Sequence, residues 1–289
     1  MHRTMTLSFP PLTRAIKMLV ALNVGMYVLM LLLEKTGMGA TSDGLAVALG
    51  LMPEQVVKHG WIWQLLTYSI IHGGFFHLFF NMLMLWMFGA NVEGYFGSRQ
   101  FLEFFFFGVL GGSLTTVTLA YTMGLTAHPL FNIRPDVLTV GASAGVFAIY
   151  MGCAMLFGEQ QVFLFPFPFA IKMKYLVAIL GFIALIGALD DHVKGGGGTA
   201  HIAHLGGLLF GYLYLKFIPR RGLSFAFSER YFGLRNAYHK WKRRQAAKKF
   251  EVYMRKHNQE PGNYFDEYGN FKPPDDSEKK NGGKGGWVH

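Results

Sequence analysis

Charge is what this chain is short of. Asp, Glu, Lys and Arg make up 15% of its 289 residues, against about 25% in a typical soluble domain. The shortage falls almost wholly before residue 218; the remainder is polar and basic. The composition therefore describes two regions, an apolar one and a soluble tail. Cysteine is nearly absent too. The single Cys153 excludes an internal disulfide, has no Cys or His neighbour in sequence, and is expected to be a small packing residue. No HExxH pattern exists, since neither His72-Gly-Gly-Phe-Phe-His77 nor His201-Ile-Ala-His204 carries the glutamate. No metal site is expected, and Asp190 and Asp191 beside His192 read as loop residues.

What is abundant is hydrophobic, 52% of the residues, with runs such as Phe104-Phe105-Phe106-Phe107 that would aggregate in water and are ordinary in lipid. Six apolar stretches approach the length needed to cross about 30 Å of hydrocarbon: Ala15–Leu33, Phe75–Phe96, Phe101–Thr122, Val140–Phe157, Tyr175–Leu189 and Ala200–Ile218. No small-residue cleavage site follows the first, so it reads as a retained helix rather than a signal peptide. The expectation is an all-α polytopic membrane protein with a short N-terminus (residues 1–12), a six-helix membrane domain (13–218), a basic juxtamembrane helical tail (219–261) and a disordered end (262–289).

The net charge of +10 does not mark a nucleic-acid binder, because 17 of the 27 Lys and Arg residues lie from Lys216 onward, directly after the last apolar stretch. Arg3, Arg14, Lys17, Arg99, Lys172 and Lys174 fall on the same side, and the positive-inside rule then puts both termini in the cytoplasm. A bacterial plasma membrane is expected. The absence of any acidic residue before Glu34 leaves an organellar address as the alternative. The basic helix over 228–257, with Trp241 and Phe250 among its cations, is expected to meet anionic lipid headgroups; a cytoplasmic protein is the rival partner.

In this orientation three polar clusters share one depth near the outer surface. His77 and Asn81 open the second helix and stack four residues apart on one face. Ser143, between Gly141 and Gly145, opens the fourth, and His204 lies in the first turns of the sixth with Gly207 and Gly211 on its face. Ser143 to Phe157 measures about 22 Å, short of a full span, so its start should open into a cavity within the bilayer. Serine on such a helix is commonly packing, but an ionisable residue within a span marks function by default. A hydroxyl beside an imidazole is a nucleophile with its base, and His77 and Asn81 can donate to a developing oxyanion. His201, one turn before His204, is the competing base, and His72 either shapes the cavity or is exposed.

The ordered set His77-Leu-Phe-Phe-Asn81, Gly141-Ala-Ser143 and Ala203-His204-Leu-Gly-Gly207-Leu-Leu-Phe-Gly211 resembles the rhomboid intramembrane serine protease family, over residues 13–218. Glu93 in Asn91-Val-Glu93-Gly94 matches a glutamate typical of that family. The resemblance implies Ser143 as nucleophile, His204 as general base, and His77, Asn81 and the Ser143 amide as oxyanion hole. It implies transmembrane proteins as substrates, cut near the outer surface at small residues, with no cofactor. The chain departs from the family pattern twice. Ala144 replaces the glycine after the serine, adding a methyl expected to crowd the substrate carbonyl. Gln64 follows Trp63 where an arginine is usual, in a loop expected to lie as an interfacial wedge through Trp61, Trp63 and Tyr68. Gly195–Gly198 are expected to let the fifth helix move aside for substrate. The alternative reading is an inactive relative that binds transmembrane clients; a channel or transporter lacks the expected repeat or chain of charges.

Overall fold

The computed structural model describes residues 10–122, 134–163, 170–194, 199–218 and 222–256. Gly195–Gly198, Arg3 and residues 262–289 lie outside the described residues. The chain divides into two compact units, residues 1–226 and 227–289. It is mostly helical, and the first unit carries α1 (Arg14–Lys35), α2 (Gly39–Leu49), α3 (Pro53–His59), α4 (Gln64–Thr67) with a 3-10 turn (Tyr68–Ile70), α5 (Phe75–Phe96), α6 (Ser98–Thr122), α7 (Ser143–Phe157), α8 (Met173–Lys194) and α9 (Thr199–Phe217). A two-stranded antiparallel hairpin, β1 (Gln161–Phe163) and β2 (Ala170–Lys172), joins α7 to α8. The last helix, α10 (Leu223–Lys256), runs into the second unit.

Among the described residues three helices, α1, α5 and α6, are long and apolar enough to cross a membrane; Ser143–Phe157 and Met173–Leu189 are shorter apolar helices. The boundary of α5 coincides with the expected span. The fourth expected span starts three residues late, at Ser143 rather than Val140, because Gly141 has φ +120° and Thr139 is paired in extended conformation with Leu51.

Small residues decide which helices sit together. The closest packing is among α6, α7 and α9. A methyl group on Gly207 would sit 2.2 Å from the Ala144 carbonyl oxygen, and one on Gly211 would sit 2.9 Å from the Ala148 Cα. From α6, a methyl on Gly108 would meet the Ala148 Cβ at 2.3 Å. Where lipid tails are as apolar as leucine, association comes from such close backbone approach and its dispersion contacts.

The segment between α1 and α5, expected as a wedge, folds into three short helices and a 3-10 turn, with side chains from Trp63 to Thr67 capping the end of α2. The last carbonyls of α2 have no acceptor role left within their helix; Trp63 Nε1 donates to Ala48 O (2.9 Å), Gln64 Nε2 to Val47 O (2.8 Å) and Thr67 Oγ1 to Leu49 O (2.6 Å). Gln64 also accepts from Met52 N at 3.0 Å and is fully buried. The departure from the Trp-Arg pair thus leaves a residue that ties the loop together. Trp61 and Trp63 stack at 5.5 Å, and Trp63 is exposed as an interfacial side chain would be. Tyr68 is the exception. It is buried and donates to Val109 O at 2.8 Å, so it anchors the loop to α6 instead of facing headgroups.

Glu93, near the end of α5, is buried and accepts from Thr13 Oγ1, Ala15 N (3.0 Å), Ile16 N (3.2 Å) and Ser98 Oγ (2.6 Å). One carboxylate therefore caps the orphan amides at the start of α1 and braces the start of α6. At the root of the hairpin, Lys172 and then Lys174 hold the exposed Glu159 carboxyl down to about 2.

Candidate active site

The loop before α7 is pinned by backbone bonds to the segment between α1 and α5. Leu51 and Thr139 exchange both bonds (2.9 and 2.8 Å), Glu54 N donates to Pro135 O (2.9 Å), and Gly141 N donates to Tyr68 O (2.9 Å). Those contacts set the height at which α7 begins. Its intrahelical ladder opens with Val146 N donating to Ala142 O at 3.1 Å, so the Ser143 amide has no carbonyl of its own helix to serve.

Ser143 Oγ lies 2.7 Å from His204 Nε2. Two features hold the imidazole there. The close approach at Gly207 and Gly211 brings α9 against α7, and the Phe147 ring stacks on His204 at 4.3 Å with planes 4° apart. Phe147 was not singled out in the sequence, although its place one turn after Ser143 puts it on the serine's face. His201, the competing base, packs elsewhere: its ring lies against Gly187 of α8, where a methyl would meet it at 2.5 Å, and edge-on to His204 at 5.9 Å.

A cavity of about 370 Å³ opens beside Ser143 between α5 and α7. His77, Asn81 and Ser143 form its polar side, and Phe76, Phe80, Met84, Val146, Phe147 and Tyr150 its apolar walls. The His77 ring covers Gly141 so closely that a Cβ there would sit 2.7 Å from Nε2, which together with the positive φ restricts position 141 to glycine. Asn81 donates one amide N–H to His77 O at 2.8 Å, leaving its second N–H.

His72 is buried, not exposed. It meets the His77 ring edge-on at 5.0 Å, and its Nε2 accepts from Ala142 N at 3.5 Å, a weak bond just ahead of Ser143. Gly145 faces Phe105, whose ring a methyl would strike at 2.4 Å. Ala144 packs toward α6. Its methyl is fully buried against Gly112 of α6, and Ala144 is not among the residues that line the cavity. Among the described residues, no group of three or more His, Cys, Asp or Glu side chains could hold a metal ion.

A serine hydroxyl in hydrogen-bond contact with an imidazole has the geometry of a nucleophile beside its base. The chain belongs to the rhomboid family of intramembrane proteases: residues 59–221, more than half of it, match the Rhomboid domain. It is 28% identical over 196 residues to rhomboid protease GluP of Bacillus subtilis, covering 66% of this chain and 33% of that protein. It is 26% identical over 159 residues to rhomboid-like protease 1 of Toxoplasma gondii (54% of this chain, 47% of the relative). Rhomboid protein 1, mitochondrial, of Saccharomyces cerevisiae is 30% identical over 150 residues (52% and 40%). The chain spans a third to a half of these relatives' own lengths.

Proposed function

We propose that this protein is an intramembrane serine endopeptidase that cuts other membrane proteins in or near their transmembrane segments through a Ser143–His204 dyad. The observation that carries the reading is the 2.7 Å contact between Ser143 Oγ and His204 Nε2 at the edge of the cavity. In the first half-reaction Ser143 Oγ attacks the peptide carbonyl carbon and its proton passes to His204 Nε2. The oxyanion is met by the Ser143 amide, His77 and the second N–H of Asn81. Collapse breaks the C–N bond, and the leaving amine takes the proton from His204. Water then enters and gives a proton to His204 as its oxygen attacks the ester carbon; collapse breaks the bond from that carbon to Ser143 Oγ, which takes the proton back from His204 as the acid leaves.

The six apolar helices α1, α5, α6, α7, α8 and α9 are the spans of this enzyme, with both termini in the cytoplasm and residues 13–218 forming the membrane domain. That orientation puts the start of α5, α7 and α9 near the outer surface, so cleavage falls there. A bacterial plasma membrane is the setting in this reading. The buried methyl of Ala144 supports activity over a silent client-binding role, since it leaves the cavity wall unaltered. A fluorophosphonate probe tests the nucleophile: labelling confined to the peptide carrying Ser143, and lost in His204→Ala, is expected. Labelling at another residue, or none on folded protein, would sink the assignment.

A further inference from the structure

Beyond the family domain, α10 carries an exposed surface that the proposed chemistry does not use. Between Leu223 and Lys256 the chain has ten Lys and Arg residues and two acidic ones, Glu229 and Glu251. Within that basic helix Tyr231, Leu234, Tyr238 and Trp241 are all more than half exposed, Leu234 at 73%. Their spacing of three, four and three residues, at about 100° each, keeps the four side chains within roughly 80° of one another around the helix axis. Tyr238 and Trp241 stack at 6.1 Å along this stripe. Arg235 and Lys242 border it on one side and Arg244 and Lys248 on the other by the same geometry, whereas Lys240 and Arg243 point the opposite way.

A narrow aromatic stripe between two rows of cations fits a surface that is apolar beneath and anionic at its rim. We infer that α10 docks on the anionic phospholipid headgroups of the bilayer that holds the helical bundle, with Tyr231, Leu234, Tyr238 and Trp241 at acyl-boundary depth. Three observations favour lipid over a soluble partner. Tyrosine and tryptophan are the side chains that settle at headgroup depth, with an apolar body and a polar tip. Flanking lysines and arginines can lay their methylene stems along the boundary and keep their charges among phosphates. The same pairing already marks the end of α9, six positions before α10 begins: Lys216 Nζ lies 5.3 Å over the Tyr212 ring and 5.5 Å over Phe217. Each cation near an anionic surface strengthens association about fivefold, so the charge imbalance supplies the attraction and the stripe the depth.

The test uses the full chain in nanodiscs, which expose both leaflets and need no substrate. Nanodiscs of phosphatidylcholine alone are compared with phosphatidylcholine–phosphatidylglycerol mixtures, each carrying acyl-brominated lipid as a contact quencher. The signal of Trp241 is the difference between parent and Trp241→Phe. The expected result is quenching and a blue shift in the anionic nanodiscs only, reversed by high salt. The triple variant Lys242→Gln/Lys248→Gln/Lys249→Gln should give the phosphatidylcholine value in both lipids. A Trp241 signal that stays solvent-exposed in both lipids would overturn the inference and leave a soluble partner as occupant. Equal quenching in both, indifferent to salt, would overturn it as well.

Discussion

The inner helices α6, α7 and α9 and the outer helices α1 and α8 are all apolar in composition, yet they meet their surroundings differently. Half or more of α7 is buried, including Ala144, Val146, Ala148, Ile149 and Cys153, whereas α1 buries four of its 22 residues. In α8, Ile179, Phe182, Ile183 and Ile186 are exposed. The inner group touches through Gly108, Gly112, Gly207 and Gly211; the outer helices leave branched and aromatic side chains exposed. In lipid, hydrophobicity does not distinguish inside from outside, and residue size does. The candidate site lies wholly within the small-residue group plus the start of α5, so its precision is a property of backbone contact rather than of apolar burial.

The sharpest way to break the contrast is Gly207→Ala. The added Cβ meets the Ala144 backbone on a rigid helix, where no side chain can yield. Destabilisation of about 3 kcal/mol or more is expected by thermal unfolding, together with loss of cleavage as Ser143 and His204 separate. Gly141→Ala comes next. It strains a positive φ and strikes His77, so cleavage should fall roughly 10²-fold, as when one oxyanion donor is lost, while the unfolding temperature moves far less. Glu93→Ala strands the Thr13, Ala15, Ile16 and Ser98 donors far from the site; a stability loss of about 1–3 kcal/mol is expected, with cleavage by the remaining folded protein unchanged at low temperature. Phe182→Ala on the outer face of α8 should change stability by less than about 0.5 kcal/mol. If Phe182→Ala proved as costly as Gly207→Ala, the distinction between inner and outer helices would fail.

Much of this was legible from the chain alone, for identifiable reasons. His204 is an ionisable group in an apolar stretch, and membrane helices rarely carry such groups idly; Ser143 gains its meaning only beside it, and the glycines three and seven residues after His204 announce a close approach. The partner of that approach was not legible. Nothing local says that Gly207 meets Ala144 or that Phe147 stacks on His204, because both depend on helices far apart in sequence. The caps between α4 and α2 were hidden for the same reason: Gln64 reads as an ordinary polar loop residue until the carbonyls of Val47, Ala48 and Leu49 are placed beside α4. Tyr68 differs from its expected place because aromatic character suits both a headgroup belt and a buried anchor, and its bond to Val109 decides between them. Helix α7 begins where it does through the backbone of Gly141, which hydropathy does not register.

The measurement that bears most directly on the dyad is cleavage of a single-span reporter in reconstituted liposomes by the parent, Ser143→Ala, His204→Ala and His201→Ala. The account predicts that the first two variants lose cleavage, each by about 10⁴-fold or more as for other members of a catalytic unit, that His201→Ala retains most of it, and that product masses place the cut near one membrane surface. Cleavage surviving in folded Ser143→Ala or His204→Ala, or lost with His201→Ala instead of His204→Ala, would contradict it.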